Sequence, residues 1–145
     1  MCHLEQFYPV FPEWVPWRER KKIGGLDRFG AYEVGIASHF FCKGREYRPF
    51  DSVPTLVYVG EAHAQPLRAR ISEFNRVAGR GEGAHSGGIC FHNQGFSLNE
   101  AWLRVFPAPP AIPEHCTGSL AKLFERELIW RHCQYFGKRP LCNSE

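Results

Sequence analysis

The stretch Thr55-Leu56-Val57-Tyr58-Val59-Gly60 carries the strongest β-strand signal in the chain. It is a run of β-branched and aromatic residues that follows a proline and stops at a glycine. A second strand is predicted upstream at Gly30-Ala31-Tyr32-Glu33-Val34-Gly35-Ile36, where larger apolar residues alternate with smaller or polar ones. A third is predicted downstream, from Ala101 to Phe106, where a proline cluster ends it.

Two helices are predicted around these strands. The first spans Gln65 to Ala78, with an apolar stripe at helical spacing and Gly79 as its stop. The second is capped by Thr117 or Ser119 and runs to about Phe136, before a glycine. The glycine-rich segment 79–88 lacks the spacing of a phosphate-binding loop, so we interpret it as a flexible loop.

Length and composition set the class of protein. The chain has 145 residues, 43% of them hydrophobic and 14% aromatic, with a formal charge of +3. These values predict one domain with a core of its own and exclude a large multidomain enzyme and a disordered chain. We divide the chain into an irregular arm, residues 1–28, and a domain, residues 29–145. Met1 to Tyr8 resembles no secretion signal and no apolar run is long enough for a membrane span, so we expect a cytoplasmic protein.

The six cysteines leave two alternatives open. Because they are scattered through a chain large enough to fold without staples, free thiols are expected. The alternative is a structural zinc site built from the adjacent pairs His115-Cys116 and His132-Cys133, although no C-x-x-C spacing accompanies them.

Two charged residues occupy faces that we expect to be apolar. At about 100° per residue, Leu120, Leu123, Phe124 and Leu128 define a stripe on the last helix, and Glu127 falls near its centre. A carboxylate there is costly to bury unless it is paired, for example with Arg131, or binds a cation. On the first helix Arg70 flanks the stripe, either as a functional group or as a snorkelling side chain.

The ordered set of Gly30-Ala31-Tyr32, Tyr58-Val59-Gly60, Leu67-Arg68-Ala69-Arg70-Ile71 and Glu127 resembles the GIY-YIG nuclease family, over about residues 30–143. The resemblance implies an α+β fold, with a small central three-stranded antiparallel sheet flanked by helices and the active site on one face. The chain departs from the family pattern in Ala31, where isoleucine is usual, and in a long basic insertion, Ser38 to Val53, between the two motifs.

The resemblance also implies the site residues. The implied catalytic set is Tyr32, Tyr58, Arg70, His85, Glu127 and Asn143. Glu127 is expected to hold one Mg²⁺ or Mn²⁺ ion, Arg70 to stabilise the phosphate, and the tyrosines, with His85, to activate or position the water. Arg68 competes with Arg70, His63 and His92 compete with His85, and Asn93 competes with Asn143.

The implied function is a divalent-metal-dependent endonuclease that hydrolyses DNA phosphodiester bonds, with no nucleotide cofactor and no membrane partner. An inactive nucleic-acid-binding module of the same fold and a zinc-stabilised structural protein are the alternatives. DNA contacts are expected from two basic segments, in the arm and in the insertion. Their members are Arg18, Arg20, Lys21, Lys22, Lys43, Arg45 and Arg48.

Overall fold

A four-stranded antiparallel sheet crosses the middle of the protein, whose structure, a computed structural model, describes residues 11–143. Its strands are β1 (Val15–Pro16), β2 (Gly30–Ile36), β5 (Thr55–Ala62) and β6 (Ala101–Pro107), in the order β1-β6-β2-β5. A separate hairpin, β3 (Phe40–Cys42) and β4 (Arg45–Tyr47), occupies part of the insertion. The three predicted strands are confirmed. The three-stranded sheet was incomplete, since two residues of the arm pair with β6 as a fourth strand.

Helices cover the two faces of the sheet. On one face lie α1 (Leu67–Arg80) and α2 (Ser86–Asn93), and on the other lies α3 (Glu114–Phe136). Short 3-10 helices precede β2 and β6, at Trp17–Lys22 and Leu98–Glu100. The sheet and its helices make a mixed α+β domain.

The helix boundaries differ from the predicted ones in physically clear ways. The α1 helix continues through Gly79 and ends at Arg80, and Gly81, with a φ of 74°, forms its left-handed cap. The segment predicted as a flexible loop contains the start of α2, because His85 caps its N-terminus through the side chain. The α3 helix begins directly after Pro113 rather than at Thr117 or Ser119.

Side chains of β2 alternate between two cores. Tyr32, Val34 and Ile36 are fully buried in the core formed with α1 and α2. Ala31 lies in a second core under α3. The described part of the arm is packed rather than loose: Trp17 is 3% exposed and contacts the α1 side of the sheet.

The C-terminal segment covers the outer edge of β5. The Cys142 amide donates to the carbonyl of Val57 at 2.7 Å, and a disulfide joins Cys142 to Cys90 of α2. The expectation of free thiols is therefore wrong for this pair. It holds for Cys42, Cys116 and Cys133, while Cys2 lies outside the described residues. Covering the edge satisfies backbone groups that would otherwise pair with another chain.

No helix within residues 11–143 combines the length and the apolar composition that a membrane crossing requires.

Candidate functional site

Two tyrosines, an arginine and a histidine from four different elements meet beside the junction of β2 and β5. We call Tyr32, Tyr58, Arg70, Phe74 and His85 the tyrosine cluster. The Tyr32 hydroxyl lies 2.8 Å from His85 Nε2, and the Tyr32 and Tyr58 ring centroids are 6.0 Å apart. Phe74 of α1 packs against both tyrosines and against His85. The fold thus brings together four of the six predicted catalytic residues.

Two glycines make room for this packing. A Cβ atom at Gly60 would lie 2.5 Å from Cζ of Tyr32, because the two residues are cross-strand partners in the β2–β5 register. A Cβ at Gly87 would overlap the ring of Tyr58. The glycine of the second tripeptide motif is therefore required by the neighbouring tyrosine.

His85 is held as a neutral donor. Its Nδ1 accepts a hydrogen bond from the backbone N–H of Gly88 at 3.2 Å, so in the neutral ring Nε2 carries the proton. Nε2 then donates to the hydroxyl oxygen of Tyr32. Burial, with Arg70 nearby, lowers the pKa of His85 to about 4, which keeps the ring neutral at pH 7.

Both phenols are protonated at neutral pH. Burial raises the pKa of Tyr58 to about 12, against the opposing effect of Arg70. Burial also raises the pKa of Tyr32 well above its usual 10, and Tyr32 has no exposed surface. The cluster therefore presents phenol hydroxyl groups, and Tyr58, which is 6% exposed, is the one nearer to solvent.

Arg70 extends from the first turns of α1 towards the phenols. Its guanidinium donates to Glu73 Oε2 at 2.8 Å, and its side chain is 30% exposed. Its charge acts on Tyr32, Tyr58 and His85. Arg68, the competing candidate, is exposed on α1. The structure thus brings Arg70 into the cluster.

Two carboxylates outside the predicted set act through their charge on the tyrosine cluster. Glu125 of α3 is half-buried, and burial together with Glu61 raises the pKa of its carboxyl group. Both carboxylates also act on the phenol of Tyr58. Glu61 of β5 is bonded to His63, whose Nδ1 lies 2.7 Å from Oε1. An acidic residue directly after the second motif was the available signal for Glu61.

Glu127 lies on the other flank of α3. Its carboxylate accepts a hydrogen bond from Arg131 Nε at 2.9 Å, the ion pair considered above. The predicted stripe was misplaced because Leu123 is 51% exposed, whereas Ala121 is buried with Leu120, Phe124 and Leu128. Two residues span about 200° around a helix, so Glu125 and Glu127 flank the true stripe on opposite sides.

Asn143 has a structural position. Its side chain accepts from the backbone N–H of Val59 and donates to the carbonyl of Val59, both at 2.7 Å. It therefore extends the sheet at the edge of β5, between Tyr58 and Gly60. The competing Asn93 is exposed at the end of α2, and His92 is bonded to the carbonyl of Ala78.

The chemistry of the side chains limits which metals fit. Among residues 11–143 no three His, Cys, Asp or Glu side chains stand close enough to hold a metal ion, and this applies equally to the pairs His115-Cys116 and His132-Cys133. A tetrahedral zinc site needs three or four such ligands. Mg²⁺ needs only one or two carboxylates and fills its octahedron with water and phosphate, so the chemistry of Glu61 and Glu125 is compatible with this ion.

The predicted basic contacts lie in two surface elements. Arg18, Arg20, Lys21 and Lys22 belong to the 3-10 helix that follows β1, where Arg20 lies over the ring of Trp17. Lys43, Arg45 and Arg48 lie in or beside the β3–β4 hairpin, where Arg48 is bonded to Glu46. DNA contact by these residues stays a prediction.

Comparison of the chain with protein-family models, with curated proteins and with solved structures gave no significant match.

Proposed function

We propose that the protein is a divalent-metal-dependent endonuclease of the GIY-YIG type, which hydrolyses DNA phosphodiester bonds at the tyrosine cluster. One observation carries the proposal: two phenols, a guanidinium and a neutral histidine lie together, and the charges of two carboxylates, Glu61 and Glu125, act on them. Phosphodiester hydrolysis needs a positioned water, positive charge at the phosphate and a site for a cation.

The metal ligand in this proposal is Glu125, assisted by Glu61, and not Glu127. Burial and the charge of Glu61 both disfavour the ionised form of Glu125 and raise its pKa, and a bound cation would offset both effects. When bound, Mg²⁺ or Mn²⁺ supplies charge neutralisation at the phosphate oxygens. Glu127, which is bonded to Arg131, plays no part in this step.

Arg70 binds the phosphate. Its side chain is partly exposed, next to the phenols, and Glu73 fixes its orientation through the bond to Nη1. A guanidinium provides several N–H donors in one plane, so it holds non-bridging oxygens in a defined direction as charge accumulates on them.

The phenols orient the attacking water by hydrogen bonding. His85 donates to the oxygen of Tyr32, so the Tyr32 hydroxyl proton is left for the neighbouring phenol Tyr58. Tyr58, the more exposed of the two, accepts or donates to the water. Since the pKa of Tyr58 is about 12, proton removal by this phenol requires a nearby cation to lower its pKa.

The test is a plasmid-nicking assay with Mg²⁺, Mn²⁺ or EDTA, using a matched pair of variants on one helix. We expect Glu125→Gln to lower the nicking rate more than about 100-fold, because it removes a charge that holds the cation. Glu127→Gln should cut within about twofold of wild type. Tyr58→Phe and Arg70→Lys should both be severely impaired.

Two results would contradict the proposal. Nicking that persists in EDTA excludes a metal-dependent reaction, and equal activity of Glu125→Gln and wild type excludes the assigned ligand. A wild-type protein that binds DNA but does not cut any of plasmid, linear duplex or single strand would instead support the inactive binding module.

A further inference from the structure

A second concave site lies away from the tyrosine cluster, between the C-terminal half of α3 and the β3–β4 hairpin. This cleft has a volume of about 640 Å³, which is within the range of ligand sites in proteins. Its floor is formed by sheet residues, Glu33 of β2 and Arg104 of β6. We call it the aromatic cleft, because aromatic rings dominate its walls. Six of the rings are those of Trp14, Phe40, Tyr47, Phe50, Tyr135 and Phe136.

The rim of the aromatic cleft exposes an unusual amount of apolar surface. Tyr135 is 84% exposed, Phe50 80% and Phe136 59%. Five of the eight strongly exposed large apolar side chains in the described part of the chain line this one cleft. Clustered exposure of this kind marks a binding surface, whereas scattered single residues need no explanation.

Cations accompany the rings. Five basic side chains line the aromatic cleft against the two carboxylates of Glu33 and Glu46. They are Arg48, Arg104, Arg131, Lys138 and Arg139. Arg104 and Arg48 are paired with the two carboxylates, at 2.7 Å and 2.6 Å, and Arg131 is bonded to Glu127. Among the described residues, the positive charge of the cleft that no carboxylate pairs lies at the rim, at Arg139 and at Lys138, whose ammonium donates to the neutral Tyr47 hydroxyl at 2.9 Å.

Planar groups already stack on one another in the cleft, and a planar ligand could join them. The Cζ atom of Arg104 lies 4.3 Å from the centroid of the Trp14 ring and 4.8 Å from that of Phe11. Phe40 and Tyr47 stack with an interplanar angle of 4°. The Nε1 atom of Trp14 is buried and has no hydrogen-bond partner among the described residues.

We propose that the aromatic cleft binds an unpaired nucleotide, with the base stacked on the exposed rings of Phe50 and Tyr135 and the phosphate at Lys138 and Arg139. Aromatic platforms beside a basic rim are the means by which proteins hold single-stranded nucleic acid. A paired base within a duplex has both faces stacked on its neighbours, so it has no free face for these rings and duplex DNA is not the ligand. The inference does not depend on cleavage at the tyrosine cluster.

The first experiment measures fluorescence anisotropy of a labelled 12-nucleotide single strand, in EDTA so that no cleavage occurs. We expect Phe50→Ala and Tyr135→Ala each to weaken binding about tenfold, because each removes one stacking platform. The matched controls are Phe41→Ala on the β3–β4 hairpin and Trp130→Ala on the same helix as Tyr135. Both side chains are exposed outside the cleft, so both variants should bind within about twofold of wild type. Equal loss in controls and cleft variants, or no strand binding at all, overturns the proposal.

The second experiment identifies the source of the nucleotide by competition. A mononucleotide that competes as well as the oligonucleotide identifies a free nucleotide as the ligand, whereas competition by the oligonucleotide alone identifies a nucleic-acid strand. Blunt duplex that competes as well as the single strand overturns the proposal. Arg139→Ala should reduce the salt dependence of strand binding, with the exposed Arg80→Ala as its control.

Discussion

The tyrosine cluster and the aromatic cleft are both rich in aromatic rings, but the rings are buried in the first and largely exposed at the rim of the second. In the cluster the rings are buried, Phe74 touches five other rings, and the polar atoms of His85 are both bonded. In the cleft the rim rings are mostly exposed, and cations stand among them. The first region is held in one arrangement by packing, and the second has surface left to bind something else. The following changes test that difference.

The largest contrast is expected between two phenylalanines. Phe74→Ala removes a fully buried ring at the centre of the cluster and should lower the free energy of unfolding by about 3–5 kcal/mol. Phe50→Ala, at the rim of the cleft, should change it by less than about 0.5 kcal/mol. Urea denaturation followed by tryptophan fluorescence measures both. Similar losses in the two variants would show that the cleft is packed as tightly as the cluster.

The next effect concerns the disulfide, which ties the C-terminal segment to α2. Its two cysteines are 52 residues apart in sequence, so Cys90→Ser with Cys142→Ser should lower the free energy of unfolding by about 2–4 kcal/mol. The exposed free thiol Cys116 provides the control, and Cys116→Ser should leave stability unchanged. A reductant should reproduce the loss in wild type and have no effect on the double variant.

A pH effect follows from the neutral His85. Its folded pKa is about 4, below the 6.5 of an unfolded histidine, so the unfolded chain binds more protons between these values. This contribution to stability is present above about pH 6.5 and is lost as the pH falls towards 4. Relative to His85→Asn, which keeps a capping acceptor, wild type should lose roughly 2 kcal/mol between pH 7 and pH 5.

The measurement is the stability difference between wild type and His85→Asn at several pH values. If the stability difference is the same at pH 7 and pH 5, the pKa of His85 is not lowered by folding, and His85 is not held neutral in the tyrosine cluster. An imidazole NMR signal that stays at its neutral position down to pH 5 gives an independent check.

The smallest effect is expected from one methyl group. Gly60→Ala places Cβ against the ring of Tyr32 and should destabilise the fold by at least about 1 kcal/mol. Gly79→Ala, in α1 with nothing within 4 Å of the added atom, should stabilise the fold by up to about 1 kcal/mol. Thermal unfolding of both variants, compared with wild type, should show shifts of opposite sign. A neutral Gly60→Ala would mean that the two motif strands pack less closely than the register indicates.

Much of the fold was predictable because its signals are local. The strand at residues 30–36 was predicted with its observed bounds, since side-chain alternation and glycines operate over a few neighbouring positions. The α2 helix, which follows His85, was missed because its glycine-rich sequence has a low helix propensity. The side-chain cap from His85 and the burial of Phe91 in the core compensate for that low propensity. The two-residue strand β1 was missed because its partner is distant in sequence.

Some residues of the candidate site were likewise predictable from local sequence, and others were placed only by tertiary packing. The sequence by itself determined the candidates: the two tyrosines came from their tripeptide motifs, and Arg70 came from its place beside the apolar stripe of its helix, with Arg68 as a competitor. It selected Glu127, because a stripe drawn through Leu123 places that carboxylate near its centre. In the folded chain Leu123 is exposed and Ala121 is buried, so Glu125 and Glu127 flank the stripe on opposite sides. Tertiary packing decided that the charge of Glu125 acts on Tyr58 and that Asn143 bonds Val59. It alone assembled the aromatic cleft, whose residues come from distant parts of the chain and carry no shared pattern in the sequence.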